Sequence, residues 1–95
     1  MDCDELMFTS HALARMFERS ISPDDVRQVI VEGEQIAEYR DDRPYPSYLL
    51  LGTVAGRVIH VVVARDMAAR RCHVITVYLP DALLWDNEFK RRQRR

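Results

Sequence analysis

The run Val58-Ile59-His60-Val61-Val62-Val63-Ala64 is apolar at every position but one. A strand with one wet face alternates polar and apolar residues. This run does not, so it reads as a central strand covered on both sides. His60 is then either buried or lining a cleft. At seven residues the run is far below the roughly 18 that a membrane-crossing helix needs, and no span is expected. Working outward, Gln35–Tyr39, Tyr48–Thr53 and Cys72–Tyr78 also read as strands. Val54-Ala55-Gly56-Arg57 is short enough for a hairpin, and Arg40–Pro46 is a polar, proline-punctuated loop. Adjacent strands are therefore expected to be antiparallel. The longer connection Arg65–Arg71 carries Arg65, Arg70 and Arg71 against the single acid Asp66, a locally basic hairpin tip.

Upstream of the strands the period changes. Between Thr9 and Ser20 the residues Leu13, Met16 and Phe17, with Ala12 beside them, recur at helical spacing and predict one apolar helix face. Thr9 or Ser10 caps this helix, and His11 sits in its first turn. Ile21-Ser22-Pro23-Asp24-Asp25-Val26 is a strong start signal for a second helix, with Ser22 as N-cap, proline first, and carboxylates at the positive end of the dipole. Its buried face is Val26, Val29 and Ile30. Gly33 is expected to end it in the left-handed conformation. Past Leu79-Pro80, Asp81–Trp85 reads as one helical turn that packs Leu84 and Trp85 on the sheet. The expected fold is α+β: two N-terminal helices on one face of a four-stranded antiparallel meander, with room for a short extra strand near Leu6–Phe8.

Ninety-five residues, 47% of them hydrophobic and 31% charged, suit one small globular domain at 1–89 and exclude a disordered tract. Of the fourteen basic residues, five are Lys90, Arg91, Arg92, Arg94 and Arg95, a basic tail spanning 90–95 that is read as flexible and solvated. Without it, nine basic face fifteen acidic residues, a net of −6, which is not how a dedicated nucleic-acid binder looks. The acidic Met-Asp-Cys-Asp-Glu start does not resemble a secretory signal, so a soluble protein of the cytoplasm is expected. Cys3 and Cys72 have no CxxC spacing and are expected as reduced thiols, Cys72 in the core.

No P-loop, GxGxxG, GxSxG or HExxH is present, which disfavours nucleotide-cofactor chemistry; no cofactor is expected. His11, His60 and His73 with the two cysteines lack local metal-ligand spacing, so no metal is expected either. Two features carry chemistry. His11, Arg15 and Arg19 are four apart and form a stripe along the first helix, beside unpaired amides that suit a phosphate. His60 is the second proton-transfer candidate. Tyr78, at the end of the last strand, is a weaker one.

Phe8-Thr9-Ser10-His11-Ala12, Arg15-Met16, Glu18-Arg19, Ile21-Ser22-Pro23 and Asp25-Val26 resemble the pattern of a small bacterial family of the domain-of-unknown-function kind. Leu50-Leu51-Gly52, Gly56-Arg57, Ile59–Val63 and Val74–Pro80 continue it, so the likeness runs from about Phe8 to Trp85. Such proteins are grouped with RelE/ParE-like toxins and are often encoded beside zinc-finger antitoxins of the MqsA type. The resemblance implies a RelE/ParE-like fold, an antitoxin partner, and metal-free RNA transesterification. In that chemistry His11 and His60 share the proton transfers, Arg15 and Arg19 stabilise the phosphoryl charge, and Arg57, Arg65, Arg70, Arg71 and Tyr78 hold RNA. The alternative is a non-enzymatic module that blocks a protein such as gyrase, and a third is a structural remnant without toxicity. The oligomeric state is left open.

Overall fold

The computed structural model describes residues 1–92. Seven elements follow one another: β1 (Glu5–Phe8), α1 (Ser10–Glu18), α2 (Pro23–Glu32), β2 (Glu34–Tyr39), β3 (Ser47–Val54), β4 (Arg57–Asp66) and β5 (Arg71–Tyr78). They form one five-stranded sheet in the order β1-β5-β4-β3-β2. The apolar strand around Val58–Ala64, β4, takes the centre, antiparallel to β3 and β5.

This is not the expected four-stranded meander. The short extra strand expected near Leu6–Phe8 is present as β1, but it pairs parallel with β5, so the sheet is mixed and five-stranded. The helices do not form an N-terminal pair laid on a finished sheet in the RelE manner. They are the crossover that carries the chain from one sheet edge, β1, to the other, β2. The parallel partner of β1 is reached only after the helices and three further strands, consistent with the long connection that parallel pairing requires.

Local signals explain each helix. Thr9 caps α1, its hydroxyl accepting from the Ala12 amide at 3.0 Å. Ser22 and Asp25 form a reciprocal capping box on α2, with Pro23 at its first position. Gly33 ends α2, although with φ −73° and ψ 170° it is extended rather than left-handed. The chain passes straight from helix to β2 there. A Cβ at Gly33 would stand 2.3 Å from the Val29 carbonyl oxygen and 2.7 Å from that of Leu51, so close approach selects glycine. The β3–β4 hairpin turns on Ala55 and Gly56, both at positive φ, as a two-residue turn requires.

The core lies between the helices and one sheet face. Ala12 and Met16 of α1, and Val26, Val29 and Ile30 of α2, pack on Leu50, Val54, Ile59, Val61, Val63, Val74 and Val77. The apolar face expected for α1 is narrower than its sequence suggests: Leu13 is 50% exposed and Phe17 88%. Gly52 lets α2 lie close on β3, since a Cβ there would meet the Val29 side chain at 2.8 Å. Gly52→Ala is therefore expected to cost about 1–3 kcal/mol through overpacking, read as a lower urea midpoint at unchanged slope.

The outer sheet face is covered too. Loop 40–46 folds over Val62 and Ala64, where Ser47 donates to Asp42 and Tyr45 stacks on His73 at 5.5 Å. The C-terminal segment covers the other half. Asp81 starts a turn there, its carbonyl accepting from the amides of Leu84 and Trp85. Trp85 is buried against the sheet, whereas Leu84 remains 40% exposed, contrary to expectation. No helix among the described residues is long and apolar enough to cross a membrane.

Candidate functional site

The outer face of β4 places His60 under this C-terminal cover, fully buried. Its Nε2 lies 2.7 Å from the Phe89 carbonyl oxygen and its Nδ1 3.1 Å from the Tyr78 hydroxyl. A carbonyl only accepts, so Nε2 carries the proton and donates; Nδ1 then accepts from Tyr78. The Trp85 ring meets the imidazole edge-on at 4.5 Å. Burial pushes the His60 pKa below its ordinary value, against the opposing pull of the Phe89 carbonyl. Burial likewise raises Tyr78, helped by Tyr39 and opposed by Arg92.

The carbonyl is aimed at His60 by a built turn. Phe89 is left-handed at φ 59°, a conformation a bulky residue adopts only when its surroundings demand it. Asp86 supplies the demand: its Oδ1 accepts from the amides of Glu88 and Lys90, and its carbonyl accepts from Phe89. Burial of the Asp86 carboxyl disfavours its charge, but these amides outweigh that cost and its pKa is lowered. Lys90 reaches back to Glu34 at 3.2 Å, and Arg91 accepts from the Asp86 amide through its carbonyl. The basic tail is thus tied to the fold through Lys90–Arg92; Arg94 and Arg95 lie outside the described residues.

The other histidine of the expected pair is in a different setting. His11 is exposed in the first turn of α1, its Nε2 3.0 Å from the Thr76 hydroxyl. His11 and His60 share no hydrogen bond, and only His11 faces solvent. Along the α1 stripe, Arg15 pairs with Glu18 at 3.0 Å, while the Arg19 side chain has no partner among the described residues. Arg57 closes the end of α1, donating to the carbonyls of Arg19 and Ser20 at 2.8 and 2.9 Å and approaching Asp25 at 3.6 Å. Its role is architectural.

Arg65, Arg70 and Arg71 do gather at the hairpin tip, but each is occupied. Arg65 donates to the Asp2 carbonyl at 3.2 Å, Arg70 pairs with Asp4 at 2.7 Å, and Arg71 with Glu5 at 3.3 Å. Hydrogen bonding to Asp4, with its charge, raises the Arg70 pKa further. Cys3 and Cys72 form a disulfide rather than the expected thiols. Pairing of β1 with β5 brings their Cα atoms to 5.7 Å, a proximity that a separation of 69 residues hides in the sequence. Among the described residues no three histidine, cysteine or acidic side chains cluster as metal ligands.

A family model described as a domain of unknown function, DUF4258, matches residues 8–79. The chain belongs to the DUF4258 family. Neither a curated protein nor a solved structure matches it. The DUF4258 match takes in His11, His60 and the helices, but neither the acidic segment before Phe8 nor the C-terminal cover over His60.

The His60 network predicts a pH response. A histidine held neutral by burial contributes stability that is complete above its unfolded pKa of about 6.5 and is lost as pH falls below that value toward the lowered folded pKa. Trp85, the one tryptophan, is the reporter. The thermal midpoint read from its fluorescence is expected to fall between about pH 6.5 and 5.5, above the titration of Asp86. In His60→Gln that fall in the midpoint over the same window should be lost.

Proposed function

We propose that this chain is the toxin of a type II toxin–antitoxin pair and acts by occupying a protein target. The support for a toxin is the resemblance carried by the Phe8–Trp85 motifs. Action by occupancy rests on one observation: α1 leaves Leu13 and Phe17, one turn apart, 50% and 88% exposed. Two large apolar side chains side by side in water form a patch that a partner surface would bury, and aromatic residues at such centres carry a large share of binding energy. Arg19, unpaired at the end of the same helix, adds a cation for a carboxylate on that surface. An antitoxin that covered α1 would neutralise the toxin by competition.

A metal-free ribonuclease is the second reading, favoured by the exposed His11 beside Thr76. It needs another proton-transfer group, and both nitrogens of His60 are engaged. The test is induced expression in bacterial cells, with folding of each variant checked by circular dichroism. Growth arrest is expected for the natural chain and for His11→Ala. Phe17→Asp, which changes a side chain in solvent, is expected to abolish arrest. Arrest lost in His11→Ala, with RNA fragments ending in cyclic phosphate, would establish the ribonuclease instead. No arrest by the natural chain would remove the toxin proposal altogether.

A further inference from the structure

The tip of the β4–β5 hairpin is a second surface, separate from α1, and the chain covers it with its own N-terminal segment. Residues 1–4 belong to no strand or helix. Three kinds of contact hold them there. The Asp4 carboxylate meets the Arg70 guanidinium at 2.7 Å, the Asp2 carbonyl accepts from Arg65 at 3.2 Å, and the Asp4 amide donates to the Arg70 carbonyl at 2.9 Å. Arg70 is left-handed at φ 54°, which turns that carbonyl to the segment. Cys3, between the two aspartates, is bonded to the buried Cys72.

We propose that this tip binds an extended acidic peptide of a partner protein, and that the disulfide latches the chain's own acidic segment in its place. The seated segment shows what the surface reads: a carboxylate, a main-chain carbonyl and a main-chain amide. A nucleic-acid strand has phosphates for Arg65 and Arg70, but its N–H donors lie on the bases and not on the backbone that carries the anion, as the Asp4 amide does. Opening is a reduction. Two electrons and two protons from a dithiol convert the Cys3–Cys72 bond into two thiols, and the dithiol leaves as its own cyclic disulfide. Residues 1–4 are then held without a covalent link, by the exposed contacts to Arg65 and Arg70 and by Met1, whose amino group donates to the Ile30 carbonyl at 2.9 Å and whose side chain packs on the core, while β1 and the Arg71–Glu5 pair remain.

The freed segment stays tethered and competes at an effective concentration in the millimolar range, so the informative quantity is a ratio of affinities. The probe is a labelled Asp-Ser-Asp-Glu peptide, reproducing residues 2–5 with serine for the cysteine, followed by anisotropy. Binding is expected to tighten at least about tenfold on reduction with excess dithiothreitol, because the latch no longer closes the loop. Cys3→Ser should bind like the reduced chain without any reductant. Arg70→Ala in the Cys3→Ser background should lose the gain. Asp4→Asn in the oxidised chain, with the disulfide intact, should show a smaller gain. Equal binding before and after reduction, or a gain that survives Arg70→Ala, would overturn the proposal. So would tighter binding of a 20-nucleotide oligouridine than of the peptide (a probe of roughly the size a single-strand-binding fold covers). A reduced chain that has lost its circular dichroism spectrum would also overturn it, making the disulfide a staple of the fold. Growth arrest through Phe17 is independent of all these outcomes.

Discussion

A central strand with no polar face requires cover on both sides, and the rest of this small domain is arranged to supply it. On one side Ile59, Val61 and Val63 of β4 meet the two helices. On the other, His60, Val62 and Ala64 lie beneath a loop and the C-terminal segment. Burial of those apolar side chains is the dominant favourable term for a chain of this size. The positions of α1, α2 and residues 81–92 follow from it, because each brings a limited apolar surface to one patch of the sheet.

The imidazole within that strand shows what the constraint costs. A buried polar ring has to find partners, and His60 takes both: a tyrosine hydroxyl from the neighbouring strand and a main-chain carbonyl from the C-terminal cover. The carbonyl is presented by an Asp86-centred turn that holds Phe89 left-handed. A residue that looked like a catalytic base is therefore engaged in anchoring the cover. The arginines follow the same logic in the opposite sense. Read along the chain they form cationic stretches, yet Arg15, Arg57, Arg65, Arg70 and Arg71 all meet carboxylates or carbonyls of the fold. The patch on which the proposed protein binding rests is instead apolar, Phe17 and Leu13 on α1.

The two ends of the chain behave alike. Both lie outside the family match, and both cover groups that lie within it: the N-terminal acids cover Arg65, Arg70 and Arg71, and the C-terminal turn covers His60. Residues 1–4 and the C-terminal turn both lie outside the regular elements and rest on a few specific contacts, to which the N-terminal cover adds the disulfide and Glu5 of β1.

Sequence alone determined the features that depend on neighbours in the chain. The capping box at Ser22, the proline start of α2, the two-residue turn at Ala55-Gly56 and the centrality of β4 are local consequences of dihedral preference, capping and hydrophobic pattern. The burial of His60 was legible for the same reason, but its partners, 18 and 29 residues away, were not. Tertiary structure decided what depends on pairing across the fold. A short strand near Leu6–Phe8 was legible, but four residues carry no sign of their pairing, and the partner of β1 stands 66 residues on. With that pairing came the mixed sheet, the disulfide between Cys3 and Cys72, and the neutralised hairpin tip. Leu13 and Phe17 looked like core because periodicity marks an apolar stripe without saying how wide a partner will cover it. α1 lies over β5 by its Ala12–Met16 edge alone, and only the packed sheet sets that width.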